Sequence, residues 1–213
     1  MKHITAFAFF LLPFLTVAAQ SVKPEFRIAL GVQQTSLYSE PFYSNEAATV
    51  TITGQKALIL PDIMTSVKFP SKQSAVAPFL GLGFNRKGTE VSGFDISYDP
   101  LQSFKKKAIA SYLSVFVGAE WTVLKHREGS FLISQALVSE LPINAAAIYR
   151  KLAFSSRTQL VFEFPSTNKV NFSIIPFFQT AISSYSEEKY ELRSDTKAYR
   201  PFSFGLSVAC SFR

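Results

Sequence analysis

Phe202-Ser203-Phe204-Gly205-Leu206-Ser207-Val208-Ala209-Cys210-Ser211-Phe212 alternates without a break. Phe202, Phe204, Leu206, Val208, Cys210 and Phe212 fall on one side, and Ser203, Gly205, Ser207, Ala209 and Ser211 on the other. Successive side chains of an extended chain point to opposite faces, so the stretch is a strand with one bulky apolar face and one small, weakly polar face. The small face decides the reading. A sheet wetted on that side carries more Lys and Glu, whereas Ser, Gly and Ala suit a cramped interior.

The same period of two recurs upstream. In residues 26–37, Phe26, Ile28, Leu30 and Val32 oppose Arg27, Ala29, Gly31, Gln33 and Thr35. In residues 58–69, Ile59, Ile63, Val67 and Phe69 oppose Asp62, Ser66 and Lys68. Residues 76–85 set Val76, Leu80, Leu82 and Phe84 against Ala77, Gly81, Gly83 and Asn85. Residues 109–124 set Leu113, Val115, Val117 and Trp121 against Ser114, Gly118, Glu120 and Thr122. The pattern is weaker in residues 131–139. Residues 157–164 set Leu160, Phe162 and Phe164 against Arg157, Gln159 and Glu163. Residues 170–184 set Val170, Phe172, Ile174 and Phe178 against Asn171, Ser173, Gln179 and Ser183.

These segments make eight strands, and their connections alternate strictly in length. Residues 70–75, 125–130 and 165–169 are short polar turns; residues 38–57, 86–108, 140–156 and 185–199 are long. The pattern predicts an all-β, eight-stranded antiparallel up-and-down transmembrane barrel, with short periplasmic turns and long extracellular loops. An even strand number returns both termini to one side. Closure matters because hydrocarbon offers no partner to a free backbone N–H or C=O, and a closed barrel has no edge. The alternative is a soluble lipocalin-like barrel with its apolar face inward.

The contents of the two faces favour the membrane arrangement. Phe26, Phe69, Trp121, Phe131, Phe164 and Phe212 fall next to the short turns or the termini, and Phe84, Phe178, Tyr199 and Phe202 near the long loops. Two aromatic levels suit two lipid interfaces. The opposite face holds a few charges of both signs: Arg27, Lys68 and Arg157, with Asp62, Glu120 and Glu163. A buried charge is costly unless paired, so the first reading is an interior ion-pair network that plugs the barrel. The functional reading of the same residues is a narrow polar path for small solutes.

The N-terminus reads as a secretory signal peptide, residues 1–19. Lys2 supplies the positive start, residues 4–17 the apolar run, and Val17 and Ala19 the small residues before a cleavage point at Gln20. The barrel domain then spans residues 20–213. No later run is long and apolar enough for a membrane helix. The formal charge of +7 is interspersed, and the Lys105-Lys106-Lys107 run is short, which argues against nucleic-acid binding. A single cysteine, Cys210, cannot form an internal disulfide. The expected barrel keeps one histidine, His126, in a turn far from the long loops. An outer-membrane hydrolase or acyltransferase needs a base for its serine, so no catalytic residue is expected. No zinc spacing, calcium loop or phosphate loop is present, and neither a metal nor a cofactor is expected.

Pro78-Phe79-Leu80-Gly81-Leu82-Gly83-Phe84-Asn85-Arg86-Lys87-Gly88 resembles the aromatic-terminated strand followed by Lys-Gly in the PorT-like outer-membrane β-barrel domain family, porin-family proteins of Gram-negative bacteria. Tyr112-Leu113-Ser114-Val115-Phe116-Val117 resembles the strand that follows there, and Ser211-Phe212-Arg213 is similar to the aromatic end by which such barrels meet the insertion machinery. The sequence departs from the pattern at Gly81 or Leu82, where an acidic residue is usual, and at Phe116, where proline is usual. The resemblance implies the cell outer membrane and no particular reaction; one branch of the family is linked to a secretion apparatus.

The expectation is therefore a non-enzymatic integral outer-membrane protein that displays surface loops. Its expected partners are membrane lipid, the insertion machinery and a protein bound through the extracellular loops. The alternative is a narrow channel or a component of a transport or secretion system.

Overall fold

The computed structural model describes residues 23–35, 50–70, 74–95, 102–144, 152–165, 169–183, 185 and 201–212. Alternation leaves backbone groups to pair sideways, and they do so in nine strands: β1 (Glu25–Thr35), β2 (Val50–Ala57), β3 (Ile59–Lys68), β4 (Val76–Asp95), β5 (Gln102–His126), β6 (Gly129–Asn144), β7 (Ala153–Pro165), β8 (Val170–Ala181) and β9 (Phe202–Phe212). β3 pairs with the lower part of β4, from Lys68 opposite Phe79 to Asp62 opposite Asn85. β2 pairs with the upper part, from Ala57 opposite Thr89 to Val50 opposite Asp95. Between them the Leu58 N–H donates to the Gly88 carbonyl at 3.1 Å. β2 and β3 are thus one path interrupted at Leu58. The circuit β4-β3-β1-β9-β8-β7-β6-β5 closes through β4–β5, giving an eight-stranded antiparallel barrel.

Closure is staggered. From Glu25 the paired residues run through Lys68, Phe79, Gly118, Ala136, Arg157, Gln179 and Ser203, and return to β1 at Thr35. The ladder therefore climbs ten residues in one turn. Ten residues over eight strands fixes a strand tilt of about 40°, so each residue adds about 2.5 Å of height, and the 11-residue β1 spans about 25 Å.

Inward and outward side chains alternate round the whole circuit. The outward set is apolar, as in Leu82 at 63 %, Val208 at 60 % and Phe26 at 55 % exposure. The inward set carries the buried charges, and between them a middle layer of Met64, Phe79, Phe116, Val161, Ile175 and their neighbours. That layer differs from the weakly polar interior expected above. Phe79 and Phe116 lie on inward parity beside Gly118 and Gly83, and the missing glycine side chains make room for their rings.

The strands are also longer than the alternation suggested. β4 and β5 pair up to Asp95 opposite Gln102, into the expected connection 86–108. β2 lies in the expected connection 38–57, β6 continues to Asn144, and β7 begins at Ala153. The weak segment 131–139 is the middle of a 16-residue strand. Backbone pairing needs only a partner, so a ladder persists where the apolar face has ended and its periodicity has faded. The expected connection 140–156 is strand as far as Asn144; residues 145–151 lie outside the described set, as do residues 1–19.

Gly118 and Gly205 hold close approaches. A Cβ at Gly118 would lie 2.3 Å from the Gln135 carbonyl oxygen and 2.8 Å from Phe79 Cζ; one at Gly205 would lie 2.4 Å from both Phe177 Cζ and the Val32 carbonyl oxygen. Gly118→Val overpacks this layer and lowers stability by about 1–3 kcal/mol, read as a lower urea midpoint for the refolded chain. An unchanged midpoint would show that the bore has room to spare.

Candidate functional site

The ten-residue stagger stacks the inward charges into two clusters, one at each end of the bore. At the short-turn end, Arg27 on β1 faces Glu120 on β5. Its Nη1 donates to Oε2 at 2.6 Å, its Nη2 to Oε1 at 3.2 Å, and its Nε to Ser211 Oγ at 3.2 Å. Lys68 Nζ donates to the same Glu120 at 2.8 Å and lies 3.0 Å from Glu25 Oε1. Glu163 Oε2 sits 3.8 Å from Arg27 and 3.9 Å from Lys68, while its Oε1 accepts from Asn171 at 2.6 Å. All seven residues are buried.

At the long-connection end, Arg157 on β7 forks onto Asp62 on β3 at 3.1 and 2.7 Å. The same guanidinium lies 3.6 Å from the Phe177 ring centroid and 5.4 Å from that of Phe116. The aromatic layer thus caps the charge from below, with ring faces where a cation is attracted. Higher still, Lys87 Nζ donates to Glu140 at 2.8 Å and to the Tyr185 hydroxyl at 2.9 Å. The Tyr185 hydroxyl donates to Glu140 in turn. Asn85 links Glu140 to Ser114, and Tyr112 packs edge-on against Tyr185. Tyr185 arrives from the connection after β8 and closes over the cluster.

Arg27, Lys68, Glu120 and Glu163 therefore share one cluster, and Arg157 and Asp62 form the pair of the other. Sequence reading missed Glu25, Asn85, Lys87, Tyr112, Glu140, Asn171 and Tyr185 as members. Most carried a signal. Lys87 extends the inward parity of Gly83 and Asn85 by one step, and Glu140 extends that of Ser134, Ala136 and Val138. Tyr185 had none, because no period reaches it.

On the outer wall Phe26, Phe69, Trp121, Phe131, Phe164 and Phe212 ring the short-turn end; Phe84, Phe178 and Phe202 stand towards the other end. Tyr199 lies outside the described residues. The wall has polar interruptions at mid-height, also unforeseen: Gln135 donates to Ser156 at 2.6 Å and accepts from Thr158 at 2.7 Å, and Thr65 donates to the Leu82 carbonyl at 3.3 Å. Paired in this way, these groups need no further partner to sit in an apolar band. His126 is exposed beside the Arg127–Glu128 turn, and Cys210 is half-buried on outward parity. Among the described residues no group of three or more His, Cys, Asp or Glu is placed to hold a metal ion.

No family model matches the chain, and no curated protein does. Among solved structures the chain is similar to Ail, the attachment invasion locus protein of Yersinia pestis, crystallised with the heparin analogue sucrose octasulfate. The identity is 11 % and the TM-score 0.42, over 90 % of this chain and 100 % of that one. That overlap is too low to bring Ail's ligand to this bore.

Glu120 is the hinge of the lower cluster, since both Arg27 and Lys68 bond to it. Glu120→Gln leaves two buried cations short of charge and lowers stability by about 3–5 kcal/mol in urea titration. Glu128→Gln in the exposed turn stays within about 0.5 kcal/mol of the parent. Equal effects of the two would show that the buried cluster is not held by charge.

Proposed function

We propose that the chain is a non-enzymatic integral protein of the cell outer membrane, a closed barrel that displays its long connections from one rim. The observation that carries this is the inversion of the two faces. All eight wall positions turn Phe, Leu, Ile and Val outward and bury their ion pairs inside. A water-soluble protein rarely leaves an apolar patch beyond a few hundred Å² uncovered, and here the patch is a continuous belt. Its height of about 25 Å matches the apolar band of a membrane barrel. A lipocalin-like carrier has the opposite arrangement.

In this reading residues 1–19 are the export signal, and the alternating strand ending at Phe212 is the end presented to the insertion machinery. The likeness of the Pro78–Gly88 stretch to the PorT-like barrels supports a kinship with them within that class. Binding partners meet the rim at which the long connections join the wall. The buried carboxylates are held against cations rather than aimed at an open cleft, which supports a scaffold over an enzyme.

The channel alternative meets two obstacles in series, an ion cluster at each end of the bore with an aromatic layer between them. In outer-membrane fractions the protein therefore shows heat-dependent gel mobility, and in planar bilayers its conductance stays at background. Recovery in the soluble fraction without a mobility change would overturn the membrane reading. A sustained conductance would replace the scaffold with a channel.

A further inference from the structure

Beyond the closed wall, β2, β4 and β5 continue as a three-stranded sheet. Its outward face keeps the parity of the wall below it: Leu80, Leu82 and Phe84 are followed on β4 by Arg86, Gly88 and Glu90. Lys56 on β2 and Lys107 on β5 both stand opposite Glu90, and Lys105 stands opposite Ser92. Lys105 is 68 % exposed and reaches Glu90 at 2.9 Å; Lys56 and Lys107 are exposed as well. Glu90 is the one carboxylate among the described side chains of this face. The hydrogen bond from Lys105, and the charges of Lys105, Lys107 and Lys56, hold its carboxyl below the usual carboxylate range. Four cations thus surround a single anion, and the face is left strongly positive.

The direction of that face identifies its occupant. It continues the outward wall, so it looks sideways over the surface in which the wall sits, rather than upward from the mouth. At about 2.5 Å per residue, Arg86 stands about 5 Å beyond Phe84, and the Lys56–Glu90–Lys107 row about 15 Å beyond it. A headgroup layer is about 5–8 Å deep on each side of the hydrocarbon. Arg86 falls within it. Lys56 and Lys107 stand about 7–10 Å above it and Lys105, opposite Ser92, about 5 Å higher, distances that a flexible lysine stem can shorten and over which charge attraction to the leaflet still acts.

We propose that Arg86, Lys56, Lys105 and Lys107 bind the phosphorylated headgroups of the leaflet surrounding the long-connection rim. Phosphate suits the site because it accepts from a guanidinium fork and from several ammonium groups together. The inference rests on the membrane reading above. A soluble polyanion is the competing occupant, and the sideways aim of the face disfavours it.

The test takes the full chain, purified in detergent and shown by heat-dependent mobility to be a closed barrel. Diphosphorylated lipid A is titrated in, with the same lipid stripped of its phosphates as reference, and bound lipid is counted by native mass spectrometry. The phosphorylated form binds more tightly. The combined variant Lys56→Gln, Lys105→Gln and Lys107→Gln weakens its binding about a hundredfold, at about fivefold per lysine. Glu90→Gln, which removes the opposing charge, tightens it. The pair Lys125→Gln and Arg127→Gln, at the opposite rim, leaves it unchanged. Wild-type affinity in the triple variant, or equal affinity for the stripped lipid, overturns the proposal. So does binding of soluble polyphosphate at these lysines without binding of lipid A. Absence of heat-dependent mobility in the wild-type chain would instead sink the membrane reading, before any lipid is added.

Discussion

The ten-residue stagger at which the sheet closes on itself governs everything else in this molecule. Eight strands without stagger would leave a bore too narrow for side chains. With ten residues of climb the strands tilt, the bore widens, and inward positions from non-adjacent strands meet at one height. Arg27 and Glu120 are far apart in sequence and lie on strands that do not pair. They touch because the ladder from β1 to β5 has climbed by the amount that brings position 120 level with position 27. The same arithmetic sets Arg157 beside Asp62 and Lys87 beside Glu140. A register slip of one residue at any seam would turn a strand's apolar set into the bore and its charges outward, so the registers are fixed by the composition of both faces at once.

Buried charge is the second consequence. Each ion in the bore has lost its water, and attraction to one counter-ion seldom compensates in full. The molecule answers by sharing: Glu120 serves Arg27 and Lys68, and Glu140 serves Lys87, Asn85, Ser155 and Tyr185. The middle of the bore needs no such arrangement. There Phe79, Phe116, Phe177 and Met64 exclude water, and Phe116 and Phe177 offer their ring faces to Arg157. An interior made wholly of charges would need partners in every direction. An interior made wholly of Phe would have no preference for one rotation of the strands over another. Two polar clusters separated by an aromatic layer give both a dry centre and a defined register.

How much of this was legible in the sequence depends on which force set each feature. Period two exposed the eight wall segments because lipid-like and bore-like faces demand different side chains at every step. In residues 202–212 that demand is met at every position, and the strand is readable without help. Residues 102–108 form an equally good ladder with β4, but Lys-rich strands above the wall have no apolar face to repeat, so they look like loop. The inward parity and mixed signs of Arg27, Lys68, Glu120 and Glu163 were legible, whereas their meeting in one cluster depends on the stagger of the closed sheet. Glu25, Lys87 and Glu140 were lost only because the strands were ended one or two residues early. Tyr185 is different in kind. Its place depends on contacts with Lys87, Tyr112 and Glu140 on distant strands, and nothing local encodes that.

Parity persists through the change of surroundings along β4. From Val76 to Phe84 the even-numbered positions are apolar and outward; from Arg86 to Glu90 they are still outward, yet charged or glycine. The odd-numbered positions cross the same boundary from Phe79 and Gly81 to Lys87 and Thr89, and remain buried. The backbone does not change at this point, since β4 and β5 pair continuously past it. Only the solvent opposite the outward face changes, and the sequence records it as a switch from Phe84 to Arg86 in a single step of two residues. Leu113 and Ser111, which stand opposite Phe84 and Arg86 on β5, make the same switch at the same height. Above that step the outward face keeps only isolated apolar side chains, Ile109 opposite Gly88 and Phe94 opposite Ser103, so the continuous apolar belt ends at the level of Phe84 and Leu113 on both strands.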